Sequence, residues 1–240
     1  MSRLDDPALV EREYADESRL RRRASAYTGA GTTVDARTPL VAAVVDGRPQ
    51  RVLEVGCGWG ELAQWLERET GADVVAVDLS PRMVELARGR GVDASVGDVQ
   101  DLPFDDESFD AVVAAWMLYH VADLDRGVAE LARVLRPGGR LVAVTNSVFH
   151  LHELRELVGS GRSSITFSRE TGEAILGRHF ASVRREDIDG MLEFSDRRAV
   201  EGYVRASISM SPFVANLPAT VDEPFIARRA NTIFVAEKAA

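Results

Sequence analysis

Sulfur chemistry is nearly absent from this chain: 240 residues carry one cysteine, Cys57. A single thiol excludes an internal disulfide, and beside only four histidines it offers no zinc-type spacing, so no metal site is expected. Long apolar runs are missing too. No stretch approaches the roughly 18 to 20 apolar residues that a membrane span needs, and the opening "MSRLDDPALVEREYADESRL" holds no apolar segment of the kind an export signal carries. Excess positive charge is likewise lacking. The formal net charge of -9 argues against a nonspecific grip on nucleic acid or anionic lipid. Together these absences predict a cytoplasmic protein with no membrane and no nucleic-acid partner; it is expected to be a monomer or homodimer. The one basic run, "RLRRR" at 19–23, reads as the solvated face of a helix interleaved with acids.

The chain does have an ordinary globular balance, 45% hydrophobic and 28% charged with 19 glycines, and enough length to bury a sizeable core. From Arg51 onward strand-like and helix-like segments alternate: "RVLEV" then "ELAQWLERET", "DVVAVD" then "PRMVELARGR", "VDASV", "FDAVVAA" then "DRGVAELARVLRPGG", and "RLVAVT". That rhythm predicts a doubly wound α/β sheet, mostly parallel, with helices on both faces. Ser80 before Pro81 reads as a helix cap, and "RPGG" at 136–139 as a helix stop. Beyond Thr145 helices are expected in "HLHELRELVG", "SRETGEAILGRHF" and "DRRAVEGYVRAS", and strands in "ASVRREDI" and a final, antiparallel "NTIFVAEK".

In such sheets ligands bind beyond the carboxyl ends of the strands, where the strand order reverses. "VLEVGCGWG" at 52–60 belongs at that point, its glycines Gly56, Gly58 and Gly60 permitting a tight turn and close backbone approach. A nucleoside ligand is therefore expected. A dinucleotide favours G-x-G-x-x-G and brings a pyrophosphate; here the third glycine comes one residue early, and Glu54 adds a negative charge beside the loop. S-adenosylmethionine has no phosphate but carries an ammonium and a sulfonium, which a carboxylate suits.

The chain resembles the class I S-adenosylmethionine-dependent methyltransferases, in the style of their small-molecule group that includes ubiquinone and menaquinone methyltransferases. The resemblance rests on "VLEVGCGWG", "VVAVDLSPRMVELAR", "GDVQDLPFDDESFDAVVAAWMLYHV" and "LARVLRPGGRLV", in that order over about residues 50 to 145. It implies a Rossmann-like fold and one methyltransferase domain over residues 1–240: a helical cover at 1–48, a cofactor-binding core at 49–146, and a substrate-side cover with the last strands at 147–240. It also implies S-adenosyl-L-methionine as cofactor. Gly56, Gly58 and Gly60 then line its methionine and ribose side with Cys57 as a small loop residue and Glu54 in support. Asp78 takes the ribose hydroxyls, Leu79 packs on the adenine, Asp98 and the Val99 amide face its ring, and Trp116 lies near the methionine. Tyr14 and Tyr27 are candidates to close over it.

The implied function is methyl transfer by in-line displacement to an N, O or C atom of a small-molecule acceptor, as in biosynthesis. Two alternatives stay open: a nicotinamide-dependent oxidoreductase, and a noncatalytic S-adenosylmethionine-binding module. Tyr119 and His120, delivered after "FDAVVAA" to the sheet's carboxyl edge, are the catalytic candidates, to accept a proton or orient a hydroxyl. His120 has a rival duty, bonding a backbone carbonyl or capping a helix. His150 and His152 face either substrate or solvent, and Phe149, Phe167, Met191, Phe194, Tyr203, Met210 and Phe213 supply apolar surface to the cover or to the core.

Overall fold

Runs of β-branched and apolar residues build the centre of the molecule, as sequences buried on both sheet faces do. The computed structural model describes residues 4–14, 17–27 and 35–240. Seven strands form one sheet: β1 (Arg51–Val55), β2 (Asp73–Asp78), β3 (Asp93–Val96), β4 (Phe109–Ala115), β5 (Leu135–Asn146), β6 (Ser182–Phe194) and β7 (Phe225–Glu237). Their order is β3-β2-β1-β4-β5-β7-β6. The first five run parallel, whereas β7 pairs antiparallel with both β5 and β6. The expected doubly wound, mostly parallel sheet is present, and its antiparallel part comprises β7 in the middle and β6 at the edge.

Alternation assigns side chains to the two faces. Val52 of β1 joins a cluster with Leu40 and Val44 of α3 (Arg37–Asp46), Leu62 and Leu66 of α4 (Glu61–Thr70), and Val84 of α5 (Pro81–Arg88). Leu53 and Val55 point the other way, toward Val128 and Leu131 of α6 (Leu124–Val134) and Phe167. Glu54 shares the Val52 face, which puts a carboxyl beneath α4.

Helices α1 (Pro7–Glu13), α2 (Ser18–Ala26), α7 (His152–Leu157) and α9 (Arg197–Ala206) make a cover, whereas α8 (Gly172–Leu176) packs its Leu176 against the sheet with Phe167 and Phe234. A third apolar cluster joins Leu151, Leu154, Phe194, Tyr203 and Met210, with Ala26 and Tyr27 against it. The N-terminal helices are tied to the sheet's edge by polar contacts: Ser80 Oγ donates to the Tyr14 carbonyl at 2.7 Å while capping α5, and Arg82 pairs with Glu17 at 3.2 Å.

Three local expectations change. "RPGG" does not stop α6, which ends at Val134; it lies within β5 as an irregularity, where the pairing with β4 skips from Phe109↔Leu135 to Ala111↔Arg140. The helix in "SRETGEAILGRHF" shortens to α8, because its preceding residues spend their hydroxyls on local turns, Ser168 and Thr171 bonding each other's groups. The basic run is not all solvated face: Arg19, Arg21 and Arg22 are exposed, but Arg23 turns inward to pair with the buried Glu13 and donate to the Ala206 carbonyl at 2.6 Å.

Candidate functional site

Strand order reverses between β1 and β4, and a cavity of about 1320 Å3 opens at their carboxyl ends. Its floor is the loop after β1. The Gly56 and Cys57 amides donate to the Val77 carbonyl at 2.8 and 3.1 Å, folding the loop over the end of β2. Gly56 has φ of +70°, and a Cβ there would lie 2.7 Å from that of Met117, so only glycine lets the loop pass the segment after β4. Gly58 and Cys57 also line the cavity. Gly60 does not; its φ of +80° starts α4, and a Cβ would lie 2.9 Å from that of Ala87, so it serves helix packing.

Carboxylates surround this loop. Glu54 is 2% exposed, and its Oε2 has no hydrogen-bond partner among the described residues. Burial first, and then the charge of Asp78, push its carboxyl up to about 8. Asp78 ends β2 and accepts from the Gly58 amide at 2.8 Å and the Ser80 amide at 2.9 Å; burial raises its carboxyl, and these two bonds oppose the rise. Asp98 follows β3 and accepts from the amide and side chain of Gln100. Leu79, a large apolar side chain left 52% exposed, and Val99, which is buried, complete this wall. Burial pushes the Cys57 thiol far up, against any role as a thiolate.

Past β4 the chain turns sharply. Trp116 has a φ of +53°, uncommon for a large residue, and its amide donates to the Val144 carbonyl at 2.8 Å. The turn aims Trp116, Met117, Tyr119 and His120 at the cavity while Leu118 enters the core. His120 Nδ1 lies 2.8 Å from the Leu4 carbonyl, which can only accept, so Nδ1 carries the proton and Nε2 accepts from the Tyr14 hydroxyl at 3.0 Å. Burial lowers this imidazole to about 4 and raises the Tyr14 hydroxyl to about 12, so the pair is neutral near pH 7. Tyr119, its hydroxyl also raised by burial, stacks edge-on against the His120 ring at 4.6 Å.

The opposite wall belongs to the cover. Tyr27 lies there, bonding the Tyr203 hydroxyl at 2.7 Å and His150 Nε2 at 3.3 Å. His150 is buried, accepts from the Ala230 amide through Nδ1 and is lowered to about 3, by burial first and then by the charges of Arg229 and Arg155. His152 instead pairs with Glu156 outside the cavity. Of the cover's apolar residues, Tyr203 and Met210 line the cavity, whereas Phe167 and Phe194 are core.

Arg155 and Arg229, both buried in this wall, were not among the sequence candidates, although a signal existed. Leu151, Leu154, Arg155 and Val158 follow the i, i+3, i+4, i+7 spacing of one helix face, so a guanidinium occupies a core slot. Arg229 holds an inward position of β7 between Ala227 and Asn231. Among the described residues no group of three metal-ligating side chains occurs, and no helix is long and apolar enough to cross a membrane.

Residues 53–143 match the family model described as a methyltransferase domain. The chain is 35% identical over 156 residues to methyltransferase GfsG of Streptomyces halstedii, covering 61% of this chain and 55% of that protein. It is 34% identical over 172 residues to a ubiquinone biosynthesis O-methyltransferase of Xanthomonas oryzae pv. oryzae, covering 65% and 72% respectively. The chain thus spans little more than half the length of the first curated relatives it matches. Among solved structures, phosphoethanolamine N-methyltransferase 2 of Haemonchus contortus, bound to S-adenosyl-L-methionine, superposes with a TM-score of 0.66 over all of this chain and 61% of that one, at 19% identity, a likeness of fold.

Proposed function

The chain belongs to the methyltransferase-domain family, and from that membership we propose that it moves a methyl group from S-adenosyl-L-methionine to a small-molecule acceptor by in-line displacement. The observation that carries this reading is Glu54, a buried carboxyl with one unpartnered oxygen, at a glycine loop with Asp78 at hand. A pyrophosphate would raise the Glu54 carboxyl further and meet the Asp78 carboxylate, whereas a cation favours the ionised Glu54 and supplies its partner.

These residues fit the cofactor. Glu54 holds its cationic end through the loop, Asp78 accepts from the ribose hydroxyls while its two backbone bonds keep it in place, and Leu79 offers an apolar face to the adenine. Asp98 and the Val99 amide hold the ring's polar edge. When bound, S-adenosylmethionine supplies a methyl group activated by its sulfonium sulfur. The chain's own contribution is position. Holding an acceptor in line with that methyl contributes about 7 to 11 kcal/mol, and the Trp116 turn, with Tyr119 and His120, shapes the space in which it is held. The neutral His120 accepts the Tyr14 hydroxyl proton at Nε2, which leaves the Tyr14 oxygen free to accept a hydrogen bond from, and so orient, a hydroxyl or amine of the acceptor.

The Xanthomonas oryzae relative acts in ubiquinone biosynthesis by its name, and a biosynthetic small molecule is the acceptor class proposed for this chain. The test is incubation of the purified protein with methyl-labelled S-adenosylmethionine and a panel of small acids, phenols, amines and nucleic acids. Label in a small molecule supports the reading; label only in a macromolecule, or none, contradicts it.

A further inference from the structure

Beside the glycine loop the cavity wall holds the carboxyls of Glu54, Asp78 and Asp98, and in the cover wall it holds the guanidiniums of Arg155 and Arg229. Four further arginines that line it, Arg21, Arg23, Arg37 and Arg82, are in ion pairs with Glu17, Glu13, Asp35 and Glu17 respectively. The two cover-wall guanidiniums act on the same groups: the His150 ring and the Tyr203 hydroxyl each feel the positive charge of Arg155 and of Arg229.

Arg155 is the more telling of the two. It is 8% exposed and lines the cavity, its Nη2 donates to Ser209 Oγ at 2.8 Å, and its Nε has no partner among the described residues. Among the described residues no carboxylate pairs with it, although the chain has 38 acidic residues to 29 basic ones. Its burial lowers the guanidinium's proton affinity, the mark of a cation held without its countercharge. A lone buried cation costs stability, and a folded chain retains one at a cavity wall where a ligand completes the pair. The planar guanidinium matches an oxyanion with two parallel donors, and the Ser209 bond fixes its orientation. Leu151, one turn before it, and Met210, next to Ser209, line the same cavity and provide an apolar surface for the rest of such a molecule.

We propose that the methyl acceptor carries an oxyanion, a carboxylate or a phosphate, and that Arg155 binds it, anchoring the acceptor at the cover end so that its other end reaches the glycine loop. This rests on the methyl-transfer reading for the word acceptor, but the anion site itself stands on Arg155.

The test uses the full chain and three probes of one shape: phenyl phosphate, benzoate and the neutral benzyl alcohol. Each is titrated by ligand-detected NMR with and without S-adenosylhomocysteine, on wild type, Arg155→Met and Arg155→Lys. One of the two oxyanions is expected to bind at least tenfold more tightly than benzyl alcohol, and which one does so separates carboxylate from phosphate. Arg155→Met is expected to lose at least tenfold of that affinity, Arg155→Lys to keep part of it, and S-adenosylhomocysteine affinity to stay unchanged in both. A merely structural arginine would instead lower the melting temperature when replaced by methionine; the proposal expects no loss without ligand. Equal binding of the neutral probe, absence of oxyanion binding, or an unaffected Arg155→Met overturns it. Failure of wild type to bind S-adenosylhomocysteine would instead overturn the cofactor reading, with the anion site judged on the titrations run without it.

Discussion

The Gly58 amide donates to Asp78 Oδ2 at 2.8 Å, so the loop after one strand is held by the last residue of its neighbour. Because Oδ1 takes the Ser80 amide as well, Asp78 organises the loop and the start of the next helix while facing the cavity. Asp78→Ala is expected to weaken S-adenosylhomocysteine binding by about 1.5 to 3 kcal/mol per charge-assisted bond lost, roughly ten- to a hundredfold. Asp78→Asn should keep part of the loop geometry and lose less. Calorimetric titration of the folded variants checks both, and unchanged affinity would remove Asp78 from the site.

Glu54 should make stability and binding depend on pH. In the folded chain its carboxyl titrates at about 8, above its value of 4.5 when unfolded, so the folded protein retains a proton that the unfolded chain gives up. The stability this contributes is complete below the unfolded value and is lost as pH rises through about 8. Melting curves between about pH 6 and about pH 9 should show that loss in wild type and a smaller one in Glu54→Gln. A cationic ligand favours the ionised form, so S-adenosylmethionine binding near pH 7 is expected to release a proton, read as a binding heat that changes with the buffer's own ionisation heat. In Glu54→Gln that dependence should vanish and the affinity fall.

Gly56 and Gly71 offer a controlled pair. Both have positive φ, but a Cβ at Gly71 meets nothing within 4 Å, while one at Gly56 lies 2.7 Å from Met117 Cβ. Gly71→Ala should cost about 1 kcal/mol for the left-handed backbone alone. Gly56→Ala should cost about twice that or more, because the overlap adds to the strain. Denaturant unfolding of the two variants measures the difference.

His120 is expected to stay neutral well into acid. Burial lowers its imidazole to about 4, so as pH falls below the ordinary histidine range the unfolded ring takes up a proton that the folded ring refuses, and stability is lost. Its ring C–H signals, identified by their loss in His120→Gln, should not move in NMR spectra between about pH 8 and about pH 5. A midpoint near 6.5 would contradict the buried pairing with Tyr14 and the Leu4 carbonyl.

Local signals in the sequence carried the sheet and the glycine-loop end of the cavity. The Glu54 carboxyl, the three glycines and Asp78 lie within 25 residues, and hydrophobic alternation sets their faces, so strand-to-helix periodicity was enough to bring them together. The cover end was not legible in the same way. Tyr27, His150, Arg155, Tyr203 and Arg229 come from four separate segments, and only the packing of α2, α7, α9 and β7 makes them one wall. Arg23 shows the same limit: its run looked like a solvated face, and the buried Glu13 on α1 turns it inward. The irregular start of β5 was hidden because proline and glycine stop helices and also mark strand bulges.

The most direct test of the account is isothermal titration of the purified chain with S-adenosylhomocysteine and, in parallel, with NAD. The account predicts saturable binding of S-adenosylhomocysteine and none of NAD, since Glu54 and Asp78 face the loop where a pyrophosphate would have to lie. Binding of NAD alone would contradict it and return the cavity to a nicotinamide cofactor.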